Sequence, residues 1–375
     1  MMRKTQYVVG AMVLLAAMAA PAAGQGIAEG QWINLFDGES LFGWTRFGDA
    51  AWEVVDGVLS AKSGTNGWLA STCQFADFDL TVKIRVGGKG SAGIAIRAGL
   101  EGHHSETGGS VIMLPAQNGD AWRVVQVRAV GTSVSATVDG EPVEGLAVSR
   151  ARGYVGVQYH RYHRDGRAGP IVEVSEARLR PLHLISLFNG ENLDGWNIIP
   201  DRASVFSVVD GALNIKNGNG QIETAGVYQD FLLQLDIIAY GDPRKPLNSG
   251  VFFRGPVGVF WKGYESQVRN EFIRDDRTRP VDFGTGGLYG IQEARKVIPS
   301  EGEWFQKTII CEGNHFAVWI NGYLVSDYYD MRPVSPEGDG KNGFVPAPGT
   351  IHLQGHDPTT NLSFKNIHIQ EYPAR

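Results

Sequence analysis

Apolar and polar residues alternate in short runs along most of the chain, and glycine, proline and asparagine separate the runs. Stretches such as 232–238 and 361–370 are rich in large apolar and β-branched residues, which is typical of β-strands. The segment 316–326 predicts a hairpin, because Asn321-Gly322 supplies the positive φ angles that a tight turn needs. No sustained helical period is present. The pattern therefore predicts an all-β protein, built as a two-sheet antiparallel sandwich or jelly roll.

The whole pattern occurs twice. Residues 35–44 match 187–196 at an offset of 152, with a shared Leu-Phe start and Gly-Trp end. Further matches follow in the same order: 54–59 with 208–213, 78–80 with 231–233, 91–97 with 248–254, 122–140 with 304–322, and 156–160 with 352–356. Several matches in a fixed order indicate a duplicated unit. We predict a signal peptide over residues 1–24, copy one over 25–181 and copy two over 182–375.

The copies differ in the length of one connection. From Arg97 to Trp122 is 25 residues, whereas from Arg254 to Trp304 is 50. The added residues in copy two, within 261–289, are rich in polar and aromatic side chains. A loop of this kind on a rigid scaffold is where function is usually found, with a plain surface excursion as the alternative. We therefore expect the working site in copy two.

The N-terminus predicts export. Arg3 and Lys4 precede an apolar stretch from Tyr7 to Ala20, and small residues follow it, as in a cleaved signal peptide. That stretch is shorter than the ~20 residues needed to span a bilayer, although an uncleaved anchor is an alternative. We expect a periplasmic or extracellular protein with no membrane span after signal cleavage.

The net charge argues against one class of ligand, and the cysteine content predicts free thiols. The net charge is −6, and a chain without a basic stripe is a poor candidate for binding nucleic acid. The two cysteines, Cys73 and Cys311, fall at non-equivalent places in the two copies. We therefore expect two buried free thiols rather than a disulfide.

Copy two contains a set of short motifs, namely Phe188-Asn189-Gly190 through Gly195-Trp196, 248–254, Gly263-Tyr264-Glu265-Ser266-Gln267, Glu303-Trp304 and 353–357. In combination they resemble the 3-keto-disaccharide hydrolase family. The resemblance implies a concanavalin-like sandwich and cleavage of 3-keto-glycosides, by hydrolysis or by 1,2-elimination followed by hydration. Copy one keeps the framework but lacks the Gly-Tyr-Glu-x-Gln segment. We therefore expect copy one to be non-catalytic, as a scaffold or a sugar-binding partner.

A ketone at carbon 3 acidifies the hydrogen on carbon 2 and makes the oxygen on carbon 1 a β-leaving group. Such chemistry needs a base, a cation or metal for the enolate, and an acid or water for the departing oxygen. Glu265 and Gln267 are two apart in a predicted strand, so both face the same side. Glu265 is our candidate for base, acid or metal ligand, and Gln267 for substrate binding. A surface carboxylate with a structural glutamine is the alternative.

Arg254 and Lys307 are further candidates for the catalytic set. Arg254 ends an apolar strand, where a charge needs a partner. It would clamp the substrate or its enolate, but its counterpart Arg97 fits a structural ion pair equally well. Lys307, where copy one has Val125, would stabilise the enolate, with an exposed strand lysine as the alternative.

His356 follows Gln354 at strand spacing, and we predict a catalytic role for His356 and substrate binding for Gln354. The equivalent His160 in copy one keeps a merely hydrogen-bonded histidine open. The cofactor is left open, because no tight ligand spacing is present. A divalent metal ion is one alternative, with ligands drawn from Glu265, His356, Asp275 and Asp276.

The aromatic residues divide into two groups. Trp261, Tyr264 and Tyr289 belong to the insertion, and we predict that they form substrate walls, since aromatic faces stack on sugar rings. The remaining tryptophans considered are assigned to the sandwich core, namely Trp44, Trp122, Trp196, Trp304 and Trp319.

These features favour an exported carbohydrate-active enzyme, a hydrolase or lyase acting on 3-keto-glycosides. The alternative is a non-catalytic carbohydrate-binding or adhesion protein, because this type of sandwich serves lectins as readily as enzymes. A retaining glucanase is a weaker third reading, since no Glu-x-Asp-x-x-Glu strand is present.

Overall fold

A computed structural model describes residues 26–100, 108–161, 169–242 and 244–373, and the predicted signal peptide lies outside them. Over these ranges the chain forms strands and turns, and no helix is long and apolar enough to cross a membrane. The strands of the first half are β1 (Ile27–Ala28), β2 (Ile33–Asn34), β3 (Trp44–Gly48), β4 (Trp52–Val55), β5 (Val58–Ala61), β6 (Asn66–Phe75), β7 (Phe78–Gly88), β8 (Ser91–Ala98), β9 (Ser110–Pro115), β10 (Arg123–Val130), β11 (Ser133–Val138), β12 (Glu141–Pro142), β13 (Gly153–His160) and β14 (Pro170–Pro181).

The strands of the second half follow the order of the first half, with a longer connection between the strand that ends at Gly255 and the one that begins at Phe305. They are β15 (Leu184–Ser186), β16 (Trp196–Ile198), β17 (Val205–Val209), β18 (Ala212–Lys216), β19 (Gly220–Thr224), β20 (Phe231–Ala239), β21 (Asn248–Gly255), β22 (Tyr264–Arg269), β23 (Phe272–Ile273), β24 (Asp276–Pro280), β25 (Phe305–Glu312), β26 (His315–Ile320), β27 (Tyr323–Tyr329), β28 (Thr350–Gly355) and β29 (Asn361–Glu371).

Each copy is a sandwich of two antiparallel sheets, as the sequence predicts. In copy one, the sheet β12-β11-β10-β7-β14-β5-β4, with β2 beside β14, faces the sheet β3-β6-β13-β8-β9. In copy two, a nine-stranded sheet faces the sheet β16-β19-β28-β21-β22. We call the latter the site sheet. The nine-stranded sheet, which we call the shared sheet, has the order β1-β15-β29-β20-β25-β26-β27, with β18 and β17 attached through β29.

The two copies meet at residues 182–183, between β14 and β15, but the strands do not separate cleanly there. Strand β1 lies at the start of copy one and yet pairs with β15 of copy two, with Ile27 opposite Ile185. The first described residues therefore complete an edge of the second sandwich rather than the first.

The middle of the shared sheet is buried on both faces. Every residue of β25 and β26 is buried, because one face packs on the core of copy two and the other packs on copy one. Leu232, Ile310 and Trp319 from this sheet belong to the hydrophobic cluster of copy one. The Trp319 indole also donates to the carbonyl oxygen of Asn34 at 3.0 Å. Copy one therefore docks on the side of copy two opposite the site sheet.

The cysteines and tryptophans test two of the predictions made from the sequence. Cys73 and Cys311 are buried free thiols, as expected. Three of the five tryptophans assigned to the core are buried. Trp304, however, is 40% exposed and packs beneath Lys365, whose Nζ lies 4.0 Å from the ring centroid. Trp122 is only half-buried. The core assignment is wrong for these two, because each lies just before its strand, β10 or β25, and so outside the alternation that turns side chains to the core.

Candidate active site

The outward face of the site sheet carries a block of buried polar side chains. Strand alternation sends every second residue of β19, β28, β21 and β22 to this face, and the register aligns them in two rows. The first row is Gln221, Gln354, Gly250 and Gln267, and the second is Glu223, His352, Phe252 and Glu265. No side chain in either row is more than 4% exposed. The prediction that Glu265 and Gln267 share a face is confirmed.

Glu265 occupies a space that a glycine leaves open. A Cβ atom on Gly250 would lie 2.4 Å from Oε1 and 2.7 Å from Cγ of Glu265. Burial raises the pKa of Glu265 to about 7, and the charge of Lys341 and a hydrogen bond with the Trp261 side chain offset part of that rise. A carboxyl group that titrates near neutrality is suited to proton transfer.

Trp261, Tyr289 and Lys341 surround this carboxyl group. The Trp261 backbone N–H donates to Gln221 Oε1 at 2.7 Å, and the Tyr289 backbone N–H donates to the carbonyl oxygen of Glu265 at 2.9 Å. Lys341 Nζ lies 3.2 Å from the Trp261 ring centroid and 5.0 Å from that of Tyr289. A cation and two aromatic rings therefore stand beside the buried carboxyl group, and both aromatic residues are among the predicted substrate walls.

A second group of polar residues lies along one edge of the face. Gln267 Nε2 and Asn248 Nδ2 donate to Asp282 Oδ2 at 3.2 Å and 3.0 Å. His356 Nε2 lies 3.5 Å from Asn248 Nδ2, while its Nδ1 lies 3.0 Å from Asp357 Oδ2. The His356 side chain is 43% exposed, so it stands at the rim of the site. Its contacts are with Asn248 and Asp357.

His352 forms the buried centre of a further network. Its Nε2 lies 2.6 Å from Thr350 Oγ1 and 3.4 Å from Glu223 Oε2, and its Nδ1 lies 3.3 Å from Gln221 Oε1. Burial lowers the pKa of His352 to about 4, so the imidazole is neutral at physiological pH. Sequence reasoning missed this residue. The signal was the repeat itself, which has Gly156 at the equivalent position.

Tyr264 lies on the core side of the site sheet, so the prediction that it forms a substrate wall is wrong. Its side chain is fully buried, stacks on Phe253 with ring centroids 5.3 Å apart, and donates its hydroxyl to Asp330 Oδ2 at 2.8 Å. Tyr264 precedes Glu265 in the strand, and strand alternation forces the two side chains to opposite faces.

Arg254 is likewise held inside the protein. Its guanidinium donates to the carbonyl oxygens of Gln229 at 3.1 Å and Val345 at 2.9 Å, and it pairs with Asp230 at 3.3 Å. Arg97 makes a matching set of carbonyl and aspartate contacts in copy one. These contacts account for both arginines as structural residues, which is the alternative that the sequence left open, and they leave no group of Arg254 to clamp a substrate.

Lys307 crosses the core of copy two from the shared sheet. Its Nζ donates to the carbonyl oxygens of Ser266 at 3.0 Å and Gln267 at 2.8 Å. Burial lowers the pKa of Lys307 to about 7, against the opposing effect of Glu265. The ammonium therefore supports the strand behind Glu265 and does not reach the outward face. The exposed lysine that the sequence offered as the alternative is also wrong.

The metal ligands considered from the sequence do not come together. Asp275 and Asp276 are exposed at the turn between β23 and β24, where Asp276 accepts a hydrogen bond from Thr278. Across the part of the chain that the structure describes, no group of three or more His, Cys, Asp or Glu side chains is suited to hold a metal ion.

A family model described as a 3-keto-α-glucoside-1,2-lyase-like domain matches residues 31–171 and again residues 183–370. The chain belongs to this family. The match confirms the resemblance and covers both copies, and membership of this family supports a function related to carbohydrates. No curated protein matches the chain.

Three solved structures that are similar to this 3-keto-α-glucoside-1,2-lyase-like protein each cover about half of it. Two presumptive glycosyl hydrolases from Parabacteroides distasonis are 26% and 23% identical, with TM-scores of 0.39 and 0.40. They cover 50% and 48% of this chain and 84% and 96% of their own. Carbohydrate-binding module CBM66 from Bacillus subtilis is 18% identical, with a TM-score of 0.34, over 48% of this chain and 98% of its own.

The two lyase-like domains differ where the chemistry would occur. Strand β9 of copy one pairs with β8 as β22 pairs with β21, and it places Val111 and Met113 where copy two has Glu265 and Gln267. Copy one therefore offers no carboxyl group at the position of the candidate base.

Proposed function

We propose that this protein is an exported enzyme that cleaves 3-keto-glycosides, with its active site on the outward face of the site sheet in copy two. The observation that carries the proposal is a buried carboxyl group, Glu265, whose pKa burial raises to about 7, beside the ammonium of Lys341. Family membership supports the substrate class. The signal-like sequence after Arg3 and Lys4 supports action in the periplasm or outside the cell.

The reaction uses the acidity that the ketone creates. The Glu265 carboxylate takes the proton from carbon 2, and the electron pair moves onto the carbon 3 oxygen as an enolate. The ammonium of Lys341 stabilises that negative charge. The enolate then re-forms the ketone and expels the carbon 1 oxygen with its bonding electrons, and this oxygen takes up the proton held by Glu265. Water adds across the new carbon 1–carbon 2 double bond and releases the free 3-keto-sugar.

The residues around Glu265 suit this path. One carboxyl group serves as base and then as acid, so a second carboxylate across the glycosidic bond, as in an ordinary glycosidase, is not required. The rings of Trp261 and Tyr289 provide apolar surface for the sugar. Gln354 offers a hydrogen-bonding group on the same face without adding charge. Neutral His352 holds the Gln221 and Glu223 side chains in place beside it.

The test measures release of 4-nitrophenol from its 3-keto-glucoside and from the parent glucoside, with the full chain and with Glu265→Gln. We expect turnover of the keto compound alone, and a loss of about 10²- to 10⁴-fold in Glu265→Gln, the range for removing a general base. Glu271→Gln, a carboxylate of the same insertion paired with Arg269, is the matched control and should keep full activity.

Isotopes distinguish the two routes to cleavage. Elimination breaks the carbon 2–hydrogen bond, so deuterium at carbon 2 should slow turnover and the sugar product should take up solvent hydrogen there. Direct hydrolysis would show neither effect. Binding of the keto compound by the wild-type chain without turnover would refute the enzyme. It would favour a non-catalytic carbohydrate-binding protein, the alternative that copy one exemplifies with Val111 in place of Glu265.

A further inference from the structure

Three amide side chains on the outward face each leave one buried atom without a hydrogen-bond partner among the described residues. These atoms are Gln221 Nε2, Asn248 Oδ1 and Gln354 Oε1. Gln221 and Gln354 stand directly opposite each other on β19 and β28, and their side chains are 0% and 3% exposed. Native proteins leave few buried polar groups unpaired, so three on one face beside Glu265 call for a ligand that pairs with them.

Two of the amides are held in place at their other end. Gln221 Oε1 accepts the Trp261 backbone N–H at 2.7 Å, which fixes the amide and points its amino group elsewhere. Asn248 Nδ2 donates to Asp282 at 3.0 Å, which leaves its carbonyl oxygen free. Anchoring one end of an amide fixes the direction in which the other end offers a hydrogen bond, and this pre-organisation favours binding.

The unpaired atoms are one donor and two acceptors, and all three belong to neutral groups. A sugar hydroxyl both donates and accepts, so it matches either kind of atom. Around them the carboxyl groups of Glu223, Glu265 and Asp282 outnumber the ammonium of Lys341, and they would repel a sugar carboxylate.

We propose that Gln221, Asn248 and Gln354 form the subsite that recognises hydroxyl groups of a neutral pyranose, and that they exclude uronic acids. This inference rests on the proposed function, because it names the sugar that Glu265 would act on.

Copy one supplies an internal comparison. Its register places Trp68 opposite Gln158, as Gln221 stands opposite Gln354 in copy two. Copy one therefore has a counterpart of Gln354, namely Gln158, but has Trp68 in place of Gln221. We expect one sugar per chain, bound by copy two.

The experiment titrates the full chain carrying Glu265→Gln, calorimetrically, with methyl 3-keto-glucoside, with its 2-, 4- and 6-deoxy analogues, and with the matching 3-keto-glucuronide. Adding Gln354→Leu should weaken binding of the keto-glucoside by about 3- to 10-fold, the equivalent of one neutral hydrogen bond. One deoxy analogue should bind the two proteins equally, because it lacks the hydroxyl that Gln354 contacts. The glucuronide should bind at least 10-fold more weakly than the glucoside. Gln158→Leu in copy one is the matched control and should change nothing.

Thermal melts separate recognition from a structural role. Because Gln354 Oε1 has no partner in the free protein, Gln354→Leu should leave the Tm unchanged or raise it. A clear fall in Tm, unchanged affinity, or tight binding of the glucuronide would overturn the proposal. If the amide-dependent binding is found but the wild-type chain releases no product, sugar recognition stands and the proposed cleavage fails.

Discussion

Lys307 should make the stability of the fold depend on pH in a way that one substitution removes. Its side chain is fully buried, and burial lowers the pKa of Lys307 from 10.5 to about 7. The unfolded chain keeps the higher value. Between the two values the unfolded state binds more protons than the folded state, so the free energy of unfolding rises with pH. Below pH 6 both states are protonated, and the contribution of Lys307 becomes constant.

The size of the effect follows from the shift. Each pKa unit corresponds to ~1.4 kcal/mol of difference between protonation states. From pH 6.5 to pH 9, linkage from this one group gives a gain in stability of roughly 2 to 3 kcal/mol. Lys307→Met keeps a side chain of similar length and lacks the titrating group. The variant should therefore lose this gain, whatever its absolute stability after the hydrogen bonds to Ser266 and Gln267 are lost.

The assay is urea unfolding, followed by tryptophan fluorescence, at half-unit steps of pH for the wild type and Lys307→Met. Glu265 interacts electrostatically with Lys307 and titrates in the same range, so both curves are repeated with Glu265→Gln in each chain. The difference between that pair of curves isolates Lys307, because the remaining titrating groups are common to both. Lys365→Met, at a half-buried lysine on the shared sheet, should run parallel to the wild type. If the difference in unfolding free energy stays flat from pH 6.5 to pH 9, or changes in the opposite direction, burial does not lower the pKa of Lys307 as proposed.

Three further predictions concern the candidate base. Turnover should fall about tenfold per pH unit below pH 7, because burial raises the pKa of Glu265 to about 7 and only the carboxylate accepts a proton. Lys341→Gln should move this fall in turnover to higher pH, since the ammonium of Lys341 lowers the pKa of Glu265. The control Lys365→Gln should leave the pH profile unchanged. An unchanged profile in Lys341→Gln would contradict the interaction between Lys341 and Glu265. Gly250→Ala should lower kcat about 100-fold while the protein still folds, because its Cβ would lie 2.4 Å from Glu265 Oε1. Gly93→Ala, the matched control in copy one, should keep activity, and equal rates in the two variants would count against the placement of Glu265.

Much of the fold was predictable because its signals are local. Strand alternation repeats every two residues, and Asn321-Gly322 marks the turn at which β26 ends and β27 begins. The pairing of β1 with β15 was not predictable, since it joins segments far apart in the sequence through backbone hydrogen bonds that any residue can make. The same holds for the burial of β25 on both faces, which depends on where copy one docks.

The site residues that lie on strands were predictable from the sequence, and those that lie in loops were not. Alternation placed Glu265 and Gln267 on one face, and the same rule, applied one residue earlier, would have sent Tyr264 to the core. Lys341 and Asp282 reach Glu265 from irregular segments, where no period relates sequence position to direction. The catalytic roles assigned to Glu265 and His356 stay predictions.

The docking of copy one against the shared sheet limits how this protein can be divided. A fragment beginning at residue 182 would lose strand β1 and would present Leu232, Ile310, Ala317, Trp319 and Leu324 to water. An apolar surface of that kind drives aggregation. Copy two is therefore not a portable module, and the pair is the smallest unit that an engineer can move. Within that pair, copy one is less constrained at the half-exposed Met113 than at the end that seals its partner.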